Sequence, residues 1–274
     1  MHSQRYRPRL LARSTVLAAG AALLAAAFAP IAQPAEAAGG TLTVFAAASL
    51  REAFTEIGAA FEKREGVTVR FNFGGSDTLA TQIVEGAPAD VFASANEKQM
   101  SIAQSKGAIV SEPVVFVRNR LTIIVPRDNP AKIANPVDLA RKGVRLVLAA
   151  PEVPVGRYAR EAFDAMSHDP AYGADFVARV NANVVSNETD VKAVATKVAL
   201  GEADAGVVYT TDVKPIAEKV ATIVVPAAFS KPAVYPIALV KADGDRALAR
   251  RFVDYVLSKD GQAALERAGF LPAR

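Results

Sequence analysis

Apolar and polar positions along this chain switch repeatedly between a two-residue and a helical period. Thr41-Leu42-Thr43-Val44-Phe45 is a β-branched and aromatic run that predicts a short buried strand. Three alanines and Ser49 follow. Apolar residues then fall at Leu50, Ala53, Phe54, Ile57 and Phe61, which is helical spacing. Ser49-Leu50-Arg51-Glu52 fits a capping box, which places Ser49 at the N-cap of that helix. The same succession recurs. Strands are expected at 67–73, 89–95, 119–126, 144–151, 183–186, 205–209 and 235–240. Helices are expected from about Thr78 to Gly86, over 100–106, from Val153 to near Met166, and from Val191 to Gly201. A short helix is expected at 136–140, and two amphipathic ones near 246–257 and 261–267 close the chain.

Strands alternating with helices indicate an α/β fold. The elements fall into two strand–helix sets, with the strand at 119–126 between them and the one at 235–240 returning. No Pro/Gly/Ser-rich linker separates the sets. Two lobes joined by extended hinge segments are therefore expected, with lobe I at 41–120 and 235–274 and lobe II at 121–234.

The first residues read as a leader, not as fold. Arg5, Arg7, Arg9 and Arg13 precede an uncharged Ala/Leu-rich stretch at 16–29, and Ala35-Glu36-Ala37 is an A-x-A cleavage signal. A cleaved signal peptide over 1–37 is expected, and hence a periplasmic product. This changes the charge picture. The formal charge of +4 is mostly the leader's, and the remainder holds 28 Lys/Arg against 27 Asp/Glu. A nearly neutral surface without a basic stripe argues against a nucleic-acid partner. The chain has no cysteine and two histidines, so a Cys/His zinc site is excluded, and an iron site is not expected. A serine hydrolase would need His168 as its base, the one histidine outside the leader. The chain is read as a binding protein and not as an enzyme.

Candidate chemistry lies where strands end and helices begin. Ser49, Ser76, Val155-Gly156 and Asp190-Val191 are small or polar turns opening helices, and Tyr209 ends a strand. Helix starts carry unpaired N–H groups and a positive dipole end. If the two sets face each other, these positions form a cage for an anion. Its donors would be the hydroxyls of Ser49, Ser76 and Tyr209 and the amides near Val155 and Val191. Taken alone, Ser49 is simply a helix cap, and Arg157 is a solvated helix residue. Asp77 and Asp190 lie beside the proposed donors, where a carboxylate would repel a dianion. They are read as helix caps; a carboxylate in the cage would instead accept a proton from an anion such as hydrogen phosphate.

These residues also carry a resemblance. Val44-Phe45-Ala46-Ala47-Ala48-Ser49-Leu50, the Gly86-Ala87-Pro88-Ala89-Asp90-Val91-Phe92 segment, Val153-Pro154-Val155-Gly156-Arg157-Tyr158 and Gly206-Val207-Val208-Tyr209 resemble the periplasmic molybdate-binding proteins of ABC transporters, the ModA family. The likeness covers about 42–271. It implies a two-lobed periplasmic binding protein fold of type II topology, each lobe a mixed sheet flanked by helices with the ligand in the cleft. It also implies oxyanion contacts at Ser49, Ser76, Val155, Val191 and Tyr209, with molybdenum held only through the oxygens of molybdate. The implied ligand is molybdate or tungstate with no cofactor, and the implied partner is an inner-membrane ABC permease docking transiently on a monomer. A different tetrahedral oxyanion, sulfate or phosphate, is the alternative. One departure from the family pattern is the second serine turn, usually richer in serine and here Gly74-Gly75-Ser76-Asp77.

Overall fold

The computed structural model describes residues 40–274; the leader reading over 1–37 lies outside the described residues. In chain order the elements are β1 (Thr41–Ala47), α1 (Arg51–Glu65), β2 (Thr68–Gly74), α2 (Ser76–Val84), β3 (Val91–Ala93), α3 (Glu97–Ser105), β4 (Val114–Asn119) and β5 (Leu121–Pro126). These are followed by β6 (Leu146–Ala149), α4 (Pro154–Ser167), α5 (Phe176–Ala182), β7 (Val184–Glu188), α6 (Val191–Ala199), β8 (Ala205–Tyr209) and α7 (Thr210–Val213). Then come β9 (Val220–Val224), β10 (Ala233–Leu239), α8 (Arg246–Leu257), α9 (Lys259–Ala268) and β11 (Leu271–Pro272). Short 3-10 turns occupy Ala48–Leu50, Pro136–Ala140 and Lys214–Ile216.

The strands form two mixed sheets. The first runs in the order β11-β4-β10-β3-β1-β2 and the second β7-β6-β8-β5-β9. In the first, β1 lies between β2 and β3 and is parallel to both. In the second, β6 lies between β7 and β8, again parallel to both. The chain thus leaves each central strand to one side and later returns on the other. Such switch points leave a crevice outside the carboxyl ends of the strands. The expected strand at 119–126 is β5 (Leu121–Pro126), with Asn119 already the last residue of β4, a strand of the other sheet that was not expected. The polar run Arg118-Asn119-Arg120 marks the break, where the chain passes from β4 to β5. It passes back between Val224 and Ala233, and β10 then pairs antiparallel with both β3 and β4.

Helix α1 shows how the core is built. It buries Ala53, Phe54, Ile57, Gly58 and Phe61 on one face and ends at Gly66, whose φ of 68° is the left-handed stop. A Cβ on Gly58 would stand 2.6 Å from the Phe71 ring, so glycine there admits β2's aromatic face. Phe54 meets Phe71, Phe116 and Phe252 with ring centroids 5.9–6.2 Å apart. At the junction of the two halves, Tyr235 of β10 packs edge-on against Tyr209 of β8 at 5.8 Å and against Phe270 at 5.5 Å.

Candidate functional site

The carboxyl ends of β1, β2, β6, β7 and β8 converge, and the turns after them enclose a small cavity. Its lining includes Ser49, Ser76, Val155, Val191 and Tyr209, all five residues singled out from sequence. Each arrives by a short connection. The methyl-lined turn after β1, Ala47-Ala48, brings buried Ser49 to the wall. Gly74-Gly75 turns β2 into α2 and delivers Ser76, which is 1% exposed. Val155 is in the first turn of α4, Val191 is the first residue of α6, and Tyr209 is the last residue of β8. Amides in a first helical turn have no intrahelical acceptor, so those of Val155 and Val191 are free to meet a ligand.

Ser49 is not the helix cap that the Ser-x-x-Glu spacing suggests. It sits inside the 3-10 turn, and α1 starts after Leu50 with no side-chain cap. Its Oγ lies instead 2.9 Å from the hydroxyl of Tyr235, a residue 186 positions away. Glu52, the other half of the expected box, pairs with Lys192 of α6 at 2.8 Å. The long-range partners outcompete the local motif because both are reached in the packed cleft. Ser76 Oγ accepts the amide of Ala95 at 3.0 Å. The Tyr209 hydroxyl is fully buried without a hydrogen-bond partner among the described residues. Burial, first, and the neighbouring hydroxyls and carboxylate hold its pKa well above the ordinary tyrosine value, so it stays protonated. A buried orphan hydroxyl beside a small cavity fits a site built to receive an acceptor.

The two nearby aspartates are disposed of differently. Asp190 lines the cavity, but its Oδ1 accepts the amides of Lys192 and Ala193 at 2.7 and 3.1 Å, capping α6. Asp77, expected as a cap, lies inside α2's first turn and lines a separate hollow with Thr78, Lys98 and Glu152. One of its oxygens is buried and unpartnered, and burial raises its pKa. Arg157 pairs with Glu161 at 2.6 Å, as a helix-surface residue. His168 ends α4, its Nδ1 2.8 Å from the Asp164 carbonyl oxygen. Val155 is at the other end of this helix, about 20 Å away at 1.5 Å per residue. The serine–histidine arrangement of a hydrolase is therefore not assembled here. Among the described residues no group of three or more His, Cys, Asp or Glu could hold a metal ion, and no helix is long and apolar enough to cross a membrane.

Sequence reasoning missed the supports behind the cavity. Lys192 bridges the halves, reaching Glu52 of α1 and buried Asp212 at 3.0 Å. Asp212 Oδ2 in turn accepts the Tyr209 amide at 3.2 Å. Burial outweighs Lys192 and raises the Asp212 pKa to about 6. Asn119 and Tyr235, read only as strand residues, stand behind Ser49. Nothing local marks Lys192, Asn119 or Tyr235: Lys192 meets Glu52 140 positions away, and Tyr235 meets Asn119 and Ser49 116 and 186 positions away.

Two mixed sheets joined by crossing strands, with one cavity at their facing carboxyl ends, define a two-lobed solute-binding protein. Residues 42–271 match the family described as bacterial extracellular solute-binding protein. The molybdate-binding protein ModA of Mycobacterium tuberculosis is 40% identical over 231 residues, 84% of each chain. ModA of Haemophilus influenzae is 35% identical over 245 residues, 85% of this chain and 91% of that one. The structure of the periplasmic molybdate-binding protein of Azotobacter vinelandii superposes with a TM-score of 0.73 at 22% identity, covering 85% of this chain and all of that one. The chain belongs to the ModA family of solute-binding proteins of ABC transporters.

Proposed function

We propose that this protein captures a fully deprotonated tetrahedral oxyanion, molybdate and also tungstate, in the periplasm and delivers it as a monomer to an ABC permease. The observation that carries the reading is the donor character of the cavity. Three hydroxyls and two helix-start amides from both lobes surround it, and the one carboxylate on its wall is turned to cap a helix. Molybdate and tungstate offer only acceptor oxygens near neutral pH, so every contact can be a donated hydrogen bond. Charge-assisted bonds contribute about 1.5–3 kcal/mol each, so four or five reach micromolar affinity or better. Helix dipoles at α4 and α6 supply partial positive charge without a lysine or arginine on the wall.

Capture also favours closure. Donors from both lobes meet one ligand only when the lobes are together, so the ligand binds the closed arrangement more tightly than the open one. Calorimetric titration and thermal shift with molybdate, tungstate, sulfate and phosphate test the reading. Ligand at a thousandfold over its Kd should stabilise the protein by about 4 kcal/mol. A response to phosphate or sulfate with none to molybdate or tungstate would refute the assignment.

A further inference from the structure

A serine hydroxyl can donate or accept, so the polarity of the cavity is not settled by Ser49 and Ser76 themselves. It is settled by what stands behind them. Ser76 Oγ already accepts the Ala95 amide at 3.0 Å, and its proton has no acceptor among the described residues. Ser49 Oγ is 2.9 Å from the Tyr235 hydroxyl, and Tyr235 is fully buried. Behind Tyr235 lies Asn119, equally buried. Asn119 Oδ1 accepts the Arg120 amide at 2.9 Å and the Thr210 hydroxyl at 3.1 Å, which fixes the orientation of its amide. Its Nδ2 therefore faces Thr211 Oγ1 at 2.8 Å and, at longer range, the Tyr235 oxygen at 3.5 Å. That nitrogen can only donate. With a donor facing its oxygen, Tyr235 directs its own proton to Ser49.

We infer that Tyr235 is a specificity-determining positioning residue: held by Asn119, it donates to Ser49 and thereby commits the Ser49 proton to the ligand, as the Ala95 amide commits that of Ser76. Tyr235 is not among the residues lining the cavity and acts through Ser49. The inference rests on the oxyanion reading above. Its consequence is chemical discrimination. Both serines present protons, and the Tyr209 hydroxyl, which has no hydrogen-bond partner among the described residues, would strand its own proton if it accepted one. An anion oxygen that carries a proton then finds no acceptor. Hydrogen phosphate carries one; molybdate, tungstate and sulfate do not. Removing the Tyr235 hydroxyl lets Ser49 rotate and accept, and the exclusion of protonated anions weakens.

The test is a titration of wild type and Tyr235→Phe with molybdate and inorganic phosphate at mildly alkaline pH, where phosphate is the singly protonated dianion. The ring stays, so its packing against Phe116, Tyr209 and Phe270 is retained. The molybdate affinity should fall roughly tenfold, one hydrogen bond's worth, while phosphate binding holds or rises. In a Ser49→Ala background, Tyr235→Phe should have no further effect on either anion. Equal losses for both anions, or an undiminished loss in the Ser49→Ala background, overturn the inference and leave the oxyanion reading standing. A wild-type protein that binds neither anion overturns both. If Tyr235→Phe does not fold, Asn119→Asp serves, since an added carboxylate oxygen draws the Tyr235 proton away from Ser49. The same fall in the molybdate-to-phosphate ratio is expected, and an unchanged ratio overturns the inference.

Discussion

Gly75 separates closure of the cleft from stability of the fold. It precedes Ser76 on the first lobe, with φ −61° and ψ 134°, a conformation open to any L-residue. Alanine there is therefore unstrained in the isolated lobe. In the closed arrangement, however, a Cβ on Gly75 would stand 2.4 Å from the Thr189 carbonyl oxygen, which belongs to the turn before α6 on the other lobe. It would also stand 2.7 Å from Asp77 Oδ1, but that is the end of a side chain able to swing aside. Thr189 O is backbone and holds its place. An ordinary carbon–oxygen contact needs about 1 Å more, so the lobes must back away by roughly that much or distort. Overpacking of this kind typically costs about 1–3 kcal/mol, which corresponds to roughly a 5- to 150-fold weaker Kd. The ligand-free protein can open, so its melting temperature should stay within a degree or two of wild type or rise slightly, because alanine narrows the unfolded ensemble. Calorimetric titration with molybdate beside ligand-free thermal melts reads both quantities. Gly75→Ala that binds as tightly as wild type, or that loses affinity only in step with a lowered ligand-free melting temperature, would refute the reasoning.

The remaining expectations concern the cavity wall and the charges behind it. Ser49→Ala and Ser76→Ala should each weaken molybdate binding tenfold or more, a lost charge-assisted bond, while ligand-free melting temperatures move little; the reverse ranking would make both serines structural. Lys192→Met leaves Asp212, whose side chain is fully buried, without its cation, and should lower unfolding free energy at neutral pH by roughly 3 kcal/mol. Glu52→Gln removes the half-exposed partner of the same lysine and should cost under about 1 kcal/mol, so equal effects in urea unfolding would refute the difference in burial. Asp212 also sets a pH dependence. Its folded pKa is raised to about 6 from 3.8, so between those values the folded protein holds a proton that the unfolded chain has released. Its contribution to stability is present in full below the unfolded value and is lost as pH rises through about 6. Relative to Asp212→Asn, wild type should therefore lose on the order of 3 kcal/mol between about pH 4 and pH 7. A difference between the two proteins that does not vary with pH would overturn this assignment.

What could be seen in the sequence depended on how local its cause was. Strand β1 and helix α1 announce themselves by period, because one face of each must be buried whatever lies opposite. Helix α3 begins at Glu97, capped by Asn96, whose side chain accepts the Gln99 amide, and starts earlier than the apolar spacing from Met100 suggests. Strand β4 was not expected, although the polar run Arg118-Asn119-Arg120 separates it from β5; its partners are β10 and β11, those of β5 are β8 and β9. Strand β9 was likewise unseen. Its residues Thr222 and Val224 are partly or largely exposed at a sheet edge, so its pattern is weak.

The cavity wall was legible for a related reason, and its supports were not. A helix start is recognisable locally, by a small or polar residue followed by helical spacing, and Ser49, Ser76, Val155 and Val191 belong to such turns; Tyr209 precedes only the four-residue α7. The local rule could name these turns but could not say what each side chain does there. Ser49 has a good capping sequence and ignores it, because Tyr235 reaches it from the returning strand β10. Asp190, equally suspect from sequence, obeys the rule and caps α6. The difference lies in competition between a local amide and a distant hydroxyl. An amide would have left the Ser49 proton as free as the Ala95 amide leaves that of Ser76; Tyr235 does the same for Ser49 and ties it to buried Asn119. A Ser49 held by Tyr235 keeps its proton for the cavity, and that proton is what an anion with only acceptors requires.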